Sequence, residues 1–250
     1  MKIIISPAKK MVVNQDDFDV LDMPLYLNQA QELLKAMQQL NYQSAQKLWQ
    51  TSDQLTKLAY NQLQQTDLNH QLTPAILAFS GIQYQYLAAD LLSEPALAYL
   101  QANLRILSGF YGILKPFDGI VPYRLEMGAK LAVAGQKNLY DFWGDQLYQA
   151  LGAGREPIVN LASKEYAKAV TPFLKLTDQW IDVDFVQEVQ GKFKTKATLA
   201  KMARGEMVRF MAENQITTIA GLKGFDSPDY RFSAANSTET KLVFVRQNKK

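Results

Sequence analysis

No cysteine occurs in the 250 residues, and that absence restricts what the chain can fold into more than any other feature. It removes disulfide frameworks, Cys-ligated zinc, iron-sulfur clusters attached in the usual way, thiol nucleophiles and thiol redox couples. Stability must come from an apolar core, and with 48% hydrophobic and 20% charged residues the chain is long enough to bury one. A single histidine, His70, excludes multi-His metal centres and leaves one candidate for a Ser-His-Asp triad. Carboxylate sites for Mg or Ca stay open. No cofactor and no obligate metal are expected.

The apolar run Ile3–Ile5 is far shorter than the roughly 7 to 15 residues of a secretory signal, and no window of about 18 apolar residues occurs, so a soluble, cytoplasmic protein without a membrane partner is expected. The overall charge of +3 hides an asymmetry: residues 1–100 carry 6 basic and 9 acidic side chains, and residues 101–250 carry 21 and 15. An anionic partner would meet the later part of the chain.

Residues 2–5 read as a short buried strand that delivers Ala8, Lys9 and Lys10 at its end. Leucine spacing between Leu25 and Tyr60 predicts an N-terminal helical region, with its many glutamines on solvated faces. Thr73-Pro74 predicts a helix start, with Thr as N-cap, and that helix halts at Gly81. Further helices are expected at Gln83–Leu92, Pro95–Asn103, Leu139–Leu151, Ser163–Val170 and Thr198–Glu213. Strands are expected at Leu104–Ser108, Pro157–Asn160, Trp180–Val189, Phe193–Lys196 and Lys241–Arg246, with a basic tail at Lys249 and Lys250. Pro116, Gly119, Pro122 and Gly128 mark a long irregular segment, a kind often functional. Strands and helices alternate without a βαβ rhythm, so one mixed α/β (α+β) domain over residues 1–250 is expected, built around a mixed sheet.

The densest chemistry lies between residues 191 and 210, where Lys192, Lys194, Lys196, Lys201, Arg204 and Arg209 face a single acid, Glu206. At helical spacing Lys201, Arg204 and Arg209 form a basic stripe turned away from the core, which suits a phosphate backbone and equally a solvated helix face. Gly205 within that helix admits the close approach of a packed neighbour or of a ligand backbone. Arg124 and Glu126 stand two apart, on one side of an extended chain, as an ion pair or as an anion fork beside a base. Lys9, past the first strand, holds a position typical of ligand contacts in α/β folds. Asp145 and the Asn160–Tyr166 segment read as capping residues, and His70 as exposed. Pro74–Asp90, with Gly81 at its turn, partly resembles a helix-hairpin-helix that holds DNA phosphates without reading bases.

Six separated strings coincide: Ile5-Ser-Pro-Ala-Lys9, Leu107-Ser-Gly-Phe-Tyr-Gly-Ile-Leu-Lys-Pro116, Pro122-Tyr-Arg-Leu-Glu-Met-Gly128, Leu139-Tyr-Asp-Phe-Trp-Gly-Asp145, Asn160-Leu-Ala-Ser163 and Ala203-Arg-Gly-Glu-Met-Val-Arg-Phe210. Together they resemble the YaaA family of bacterial peroxide-stress-resistance proteins, in an order that covers nearly the whole chain. The resemblance implies a single domain of unusual mixed topology, a basic cleft, and DNA binding that includes a helix-hairpin-helix element. It also implies a cytoplasmic role in surviving hydrogen peroxide, linked to iron-driven damage. Carried onto this chain, the cleft candidates are Lys9, Arg124, Glu126, Lys201, Arg204 and Arg209, with the hairpin near Gly81; Gln83 stands where that hairpin has its second glycine.

Three functions compete at this level. The first is sequence-independent binding of duplex or branched DNA. The second is an enzyme acting on a nucleotide, damaged base or phosphorylated substrate through Lys9, Arg124 and Glu126. The third is a module for acidic protein partners. Without cysteine, protection from peroxide cannot run through a thiol peroxidase cycle.

Overall fold

Ile3, Ile4 and Ile5 have no exposed surface, a burial that three successive strand residues reach only when both faces of the sheet are covered. The computed structural model describes residues 1–14, 16–152, 154 and 156–247, and the expected tail at Lys249 and Lys250 lies outside them. The three isoleucines sit in β1 (Lys2–Ile5), which is followed by the two-residue β2 (Lys10–Met11). Three helices come next, α1 (Leu27–Gln38), α2 (Tyr42–Trp49) and α3 (Asp53–Gln65). Asn41 and Ser52 cap the last two by accepting from the amides of Ser44 and Leu55.

The segment expected as one helix to Gly81 is instead β3 (Thr73–Pro74), a single turn α4 (Ala75–Ala78) and β4 (Phe79–Ser80). The cause is competition for the backbone. Thr73 pairs with Ile120, and the amides of Ala75 and Ile76 donate to the carbonyls of Asp118 and Pro116. Helix α5 (Ile82–Leu87) ends at Ala88, whose φ of 47° breaks the expected continuation to Leu92. Then come α6 (Glu94–Asn103), β5 (Leu104–Ser108), β6 (Gly112–Leu114) and β7 (Gly119–Ile120). The expected helix at Leu139–Leu151 is split by Gly144, at φ 49°, into α7 (Leu139–Trp143) and α8 (Gln146–Ala150). The chain finishes with β8 (Ile158–Asn160), α9 (Lys164–Ala167), β9 (Trp180–Val189), β10 (Lys192–Lys194), α10 (Ala197–Glu213), α11 (Ile219–Leu222), β11 (Tyr230–Phe232) and β12 (Lys241–Arg246).

The main sheet runs β11-β12-β9-β8-β1-β5-β6, with β10 folded back on β9. Its centre, β12-β9-β8-β1-β5, is parallel, and antiparallel β11 and β6 close the two edges. This is the expected mixed α/β single domain. From β1 the chain adds β5 on one flank and later β8 on the other, so the strand order reverses at β1. In open α/β sheets such a reversal opens a crevice beyond the strands' carboxyl ends.

Away from that crevice, Asp118 is 3% exposed and accepts from the Lys115 amide at 2.8 Å. Burial lifts its carboxyl from 3.8 to about 6, against the pull of that bond and of the Lys115 and Arg105 charges, while Asp22 adds a small push upward. The folded chain therefore holds this proton more tightly than the unfolded one. Its stabilising contribution is complete below 3.8 and is lost as pH rises through about 6, a decline worth about 3 kcal/mol. Urea denaturation at pH 4 and pH 7 is expected to show that decline in the parent protein and its absence in Asp118→Asn.

Candidate functional site

Beyond the ends of β1 and β8 the chain is tied across itself. The Ser163 amide donates to Ser6 Oγ at 2.8 Å, the Tyr84 hydroxyl donates to the Ser6 carbonyl at 2.9 Å, and the Leu161 amide donates to the Ile4 carbonyl. Asn160 accepts from the Ala162 amide and donates to Asp182 at 2.8 Å. These bonds set Pro7–Lys10 beside Ser163–Tyr166.

Two glycines bring in the remaining walls. A Cβ on Gly109, just past β5, would stand 2.6 Å from the Leu125 carbonyl oxygen, so only glycine lets the Leu125–Met127 strip lie against that strand end. The strip alternates as extended chain does: Leu125 and Met127 are buried, and Arg124 and Glu126 share the outer side. A Cβ on Gly205 would stand 2.1 Å from the Gln83 carbonyl oxygen and 2.9 Å from the Leu87 amide nitrogen. Of the two readings of Gly205, the packed neighbour holds, and that neighbour is α5. The contact places Gln83 and Arg204 on one wall.

Three adjoining cavities, of about 200, 460 and 650 Å³, form a trough along these walls. Lys9 and Lys10 line both the first and the second, and Ser163, Lys201 and Arg204 line both the second and the third. Arg124 belongs to the first, Gly81, Glu126, Glu165 and Tyr166 to the second, and Lys164, Lys168, Asp182, Asp184 and Lys241 to the third. Lys241 is held by Asp184 at 2.6 Å. Lys9, Lys10, Arg124, Lys201 and Arg204 form no ion pair with any described residue.

Burial pushes the Glu126 carboxyl above its ordinary value; Lys9 and Arg124 pull it down, Glu165 pushes it up, and the Tyr166 hydroxyl approaches Oε2 at 3.5 Å. Burial likewise lowers the Arg204 guanidinium, opposed by Asp184. Its Nε, and Nε2 of the 7%-exposed Gln83, are buried donors without an acceptor among the described residues. Unmade hydrogen bonds of this kind are costly. An anionic oxygen entering the second cavity, which both side chains line, would offer them acceptors.

The structure thus gathers Lys9, Gly81, Arg124, Glu126, Lys201 and Arg204. It does not gather the rest. Arg209 lies about 140° round the helix from Arg204 and is engaged by Glu213 at 2.9 Å. The single stripe turned away from the core is therefore not formed: Arg204 is half-buried and lines the trough with Gln83, and Arg209 is on another flank. Lys192 and Lys194 are exposed on β10 and Lys196 is exposed at the N-cap position of α10, and none of the three lines the trough, although Thr195 and Ala197 do. Gly81 precedes α5 with an extended φ of −172°, packed on Ala8, and the segment around it runs helix, short strand, helix. His70 is exposed and bonded to Asp67.

Sequence alone does not single out Lys164, Lys168, Gln83, Glu165 and Tyr166 as site residues. Their signal was available: Ser163–Tyr166 follows a predicted strand just as Ser6–Lys9 follows another. No group of three or more His, Asp or Glu side chains among the described residues is placed to hold a metal ion. No helix among them is long and apolar enough to cross a membrane.

A family model described as peroxide stress protein YaaA matches residues 1–236. Curated relatives carry the name UPF0246 protein. The one from Lacticaseibacillus paracasei is 60% identical over 245 residues, covering 98% of this chain and 99% of its own. That from Lactiplantibacillus plantarum is 58% identical over 248 residues, covering 99% and 100%. That from Lactobacillus johnsonii is 48% identical over 246 residues, covering 98% of each.

Proposed function

The chain belongs to the peroxide stress protein YaaA family, and from that premise we propose that it is a cytoplasmic DNA-binding protein that limits iron-driven oxidative damage. Duplex or branched DNA lies along the trough, largely without regard to sequence. Its phosphates are held by Lys9, Arg124, Lys201 and Arg204, with Gly81 in the wall between them and Lys192, Lys194 and Lys196 extending the contact. The observation that carries this reading is the row of cations, without an ion pair to any described residue, at the point where the strand order reverses. Arg209, held by Glu213, contributes little. Binding of a labelled duplex measured between 50 and 200 mM salt tests it. Each phosphate contact adds a slope of about −0.9 to log K against log salt, and a salt-independent affinity would refute the reading.

A second reading, an enzyme acting on a nucleotide or damaged base, is favoured by the raised Glu126 carboxyl standing beside Lys9 and Arg124. Glu126→Gln separates the two. For a binding protein it removes a negative charge from the trough, and duplex affinity is expected to rise about two- to fivefold at low salt. For an enzyme using Glu126 as acid or base, turnover of a lesion-containing substrate would fall by about a hundredfold or more with binding retained.

A further inference from the structure

We propose that the smallest cavity of the trough receives a nucleobase whose attached phosphate rests on Lys9, Lys10 and Arg124. The proposal rests on the nucleic-acid reading above and specifies what one end of that site recognises.

The cavity, of about 200 Å³, lies between the α1–α3 helices and the sheet body. Its inner walls carry large apolar side chains: Met11, Met37, Trp49, Leu58, Phe110 and Tyr123 line it. The rings of Phe110 and Tyr123 are stacked, with centroids 5.0 Å apart and planes 20° from parallel. Two methionines among the walls let the space adapt to a flat occupant. Trp49 is 9% exposed, and its indole N–H is buried with no acceptor among the described residues.

An occupant must satisfy three demands together. It needs an apolar body to cover Leu55 and Leu58, which are 49% and 65% exposed on the α3 side. It needs a hydrogen-bond acceptor within that body for the Trp49 N–H. It needs an anion at the mouth, where three cations lack an ion pair with any described residue. An alkyl carboxylate meets the first and third and fails the second. A nucleobase has apolar faces, ring nitrogens or carbonyls on its edge, and a phosphate at the other end. A free mononucleotide and an unpaired base within a strand share that chemistry.

The test uses the full chain and four probes: a fully paired duplex, the same duplex with one bulged 2-aminopurine, dAMP, and octanoate. If the source is a strand, the bulged duplex binds about tenfold more tightly than the paired one, and the 2-aminopurine emission is quenched as the base leaves solvent. Trp49→Phe and the uncharged exposed-site change Leu58→Gln each abolish that preference while paired-duplex affinity stays within about twofold. If the source is a free nucleotide, dAMP quenches the emission lost in Trp49→Phe, and the bulge confers no preference. Either result supports the proposal. A response to octanoate with none to either nucleic form overturns it, as does a bulge preference that survives both substitutions, or silence from all probes. Failure to bind the paired duplex would be scored separately, against the DNA reading itself.

Discussion

Lys9→Ala, Arg124→Ala and Lys201→Ala combined are expected to weaken duplex binding about a hundredfold at 0.1 M salt and to flatten the salt slope by about 2.7, at about 0.9 per phosphate contact. The three side chains come from the end of β1, the irregular strip beside β5 and the first half of α10, yet all three line the trough. None is engaged by a carboxylate of the described residues, so each can displace counterions from a phosphate. None carries core packing, so the thermal midpoint of the triple variant should stay within about 3 °C of the parent. Arg209→Ala is the matched control, since its guanidinium is held by Glu213 and its loss should change affinity by less than about twofold. Electrophoretic or anisotropy titrations at several salt concentrations check both. An equal effect from Arg209→Ala would place the binding face elsewhere on α10.

Gly205→Ala sets two effects of opposite sign against each other. In an exposed helix interior, alanine gains about 1 kcal/mol over glycine. Here the added methyl would sit 2.1 Å from the Gln83 carbonyl oxygen, with the Leu87 amide and the Tyr86 Cβ both at 2.9 Å. Two of those three are backbone atoms and cannot rotate away, so α5 and α10 must separate. Overpacking of this kind costs about 1–3 kcal/mol or more, and the carbonyl contact lies at the severe end. A net loss of about 2–4 kcal/mol is expected from denaturant unfolding. The same separation would move Gln83 away from Arg204, so the variant is expected to bind DNA more weakly even where it remains folded. Unchanged or higher stability would mean that the helices are not in this contact.

Much of the fold is legible in the sequence because burial on both faces leaves a local mark. Ile3–Ile5, Leu104–Ser108 and Lys241–Arg246 are nearly continuous apolar runs, and each is a strand of the parallel centre. The N-terminal helices are marked instead by the leucine spacing of residues 25–60, which in α1 gives one buried face at Leu33, Leu34 and Met37. What periodicity does not carry is which element covers a given helix face. It separates Arg204 from Ala203 and Met207, but nothing local says that α5 packs against the adjacent Gly205. Helix boundaries fail where backbone groups find partners far along the chain, as Ala75 and Ile76 do at Asp118 and Pro116. In the site, Lys9 and Arg124 are visible from strand ends and motif strings. Lys164 and Glu165 escape notice because Ser163 reads as a cap, and it does hold the N-cap position of α9, although its side chain makes no cap bond.

The placement of β1 also governs how the protein is made. Its partners on the two flanks are Leu104–Ile106 and Ile158–Asn160, so β1 is bordered by segments translated much later than itself. At about 5–20 residues per second, roughly 8–30 s pass between the emergence of these isoleucines and that of their second partner. Throughout that interval the nascent β1 presents an unpaired, strongly apolar edge, so yield in the cell depends on holding it apart from other growing chains.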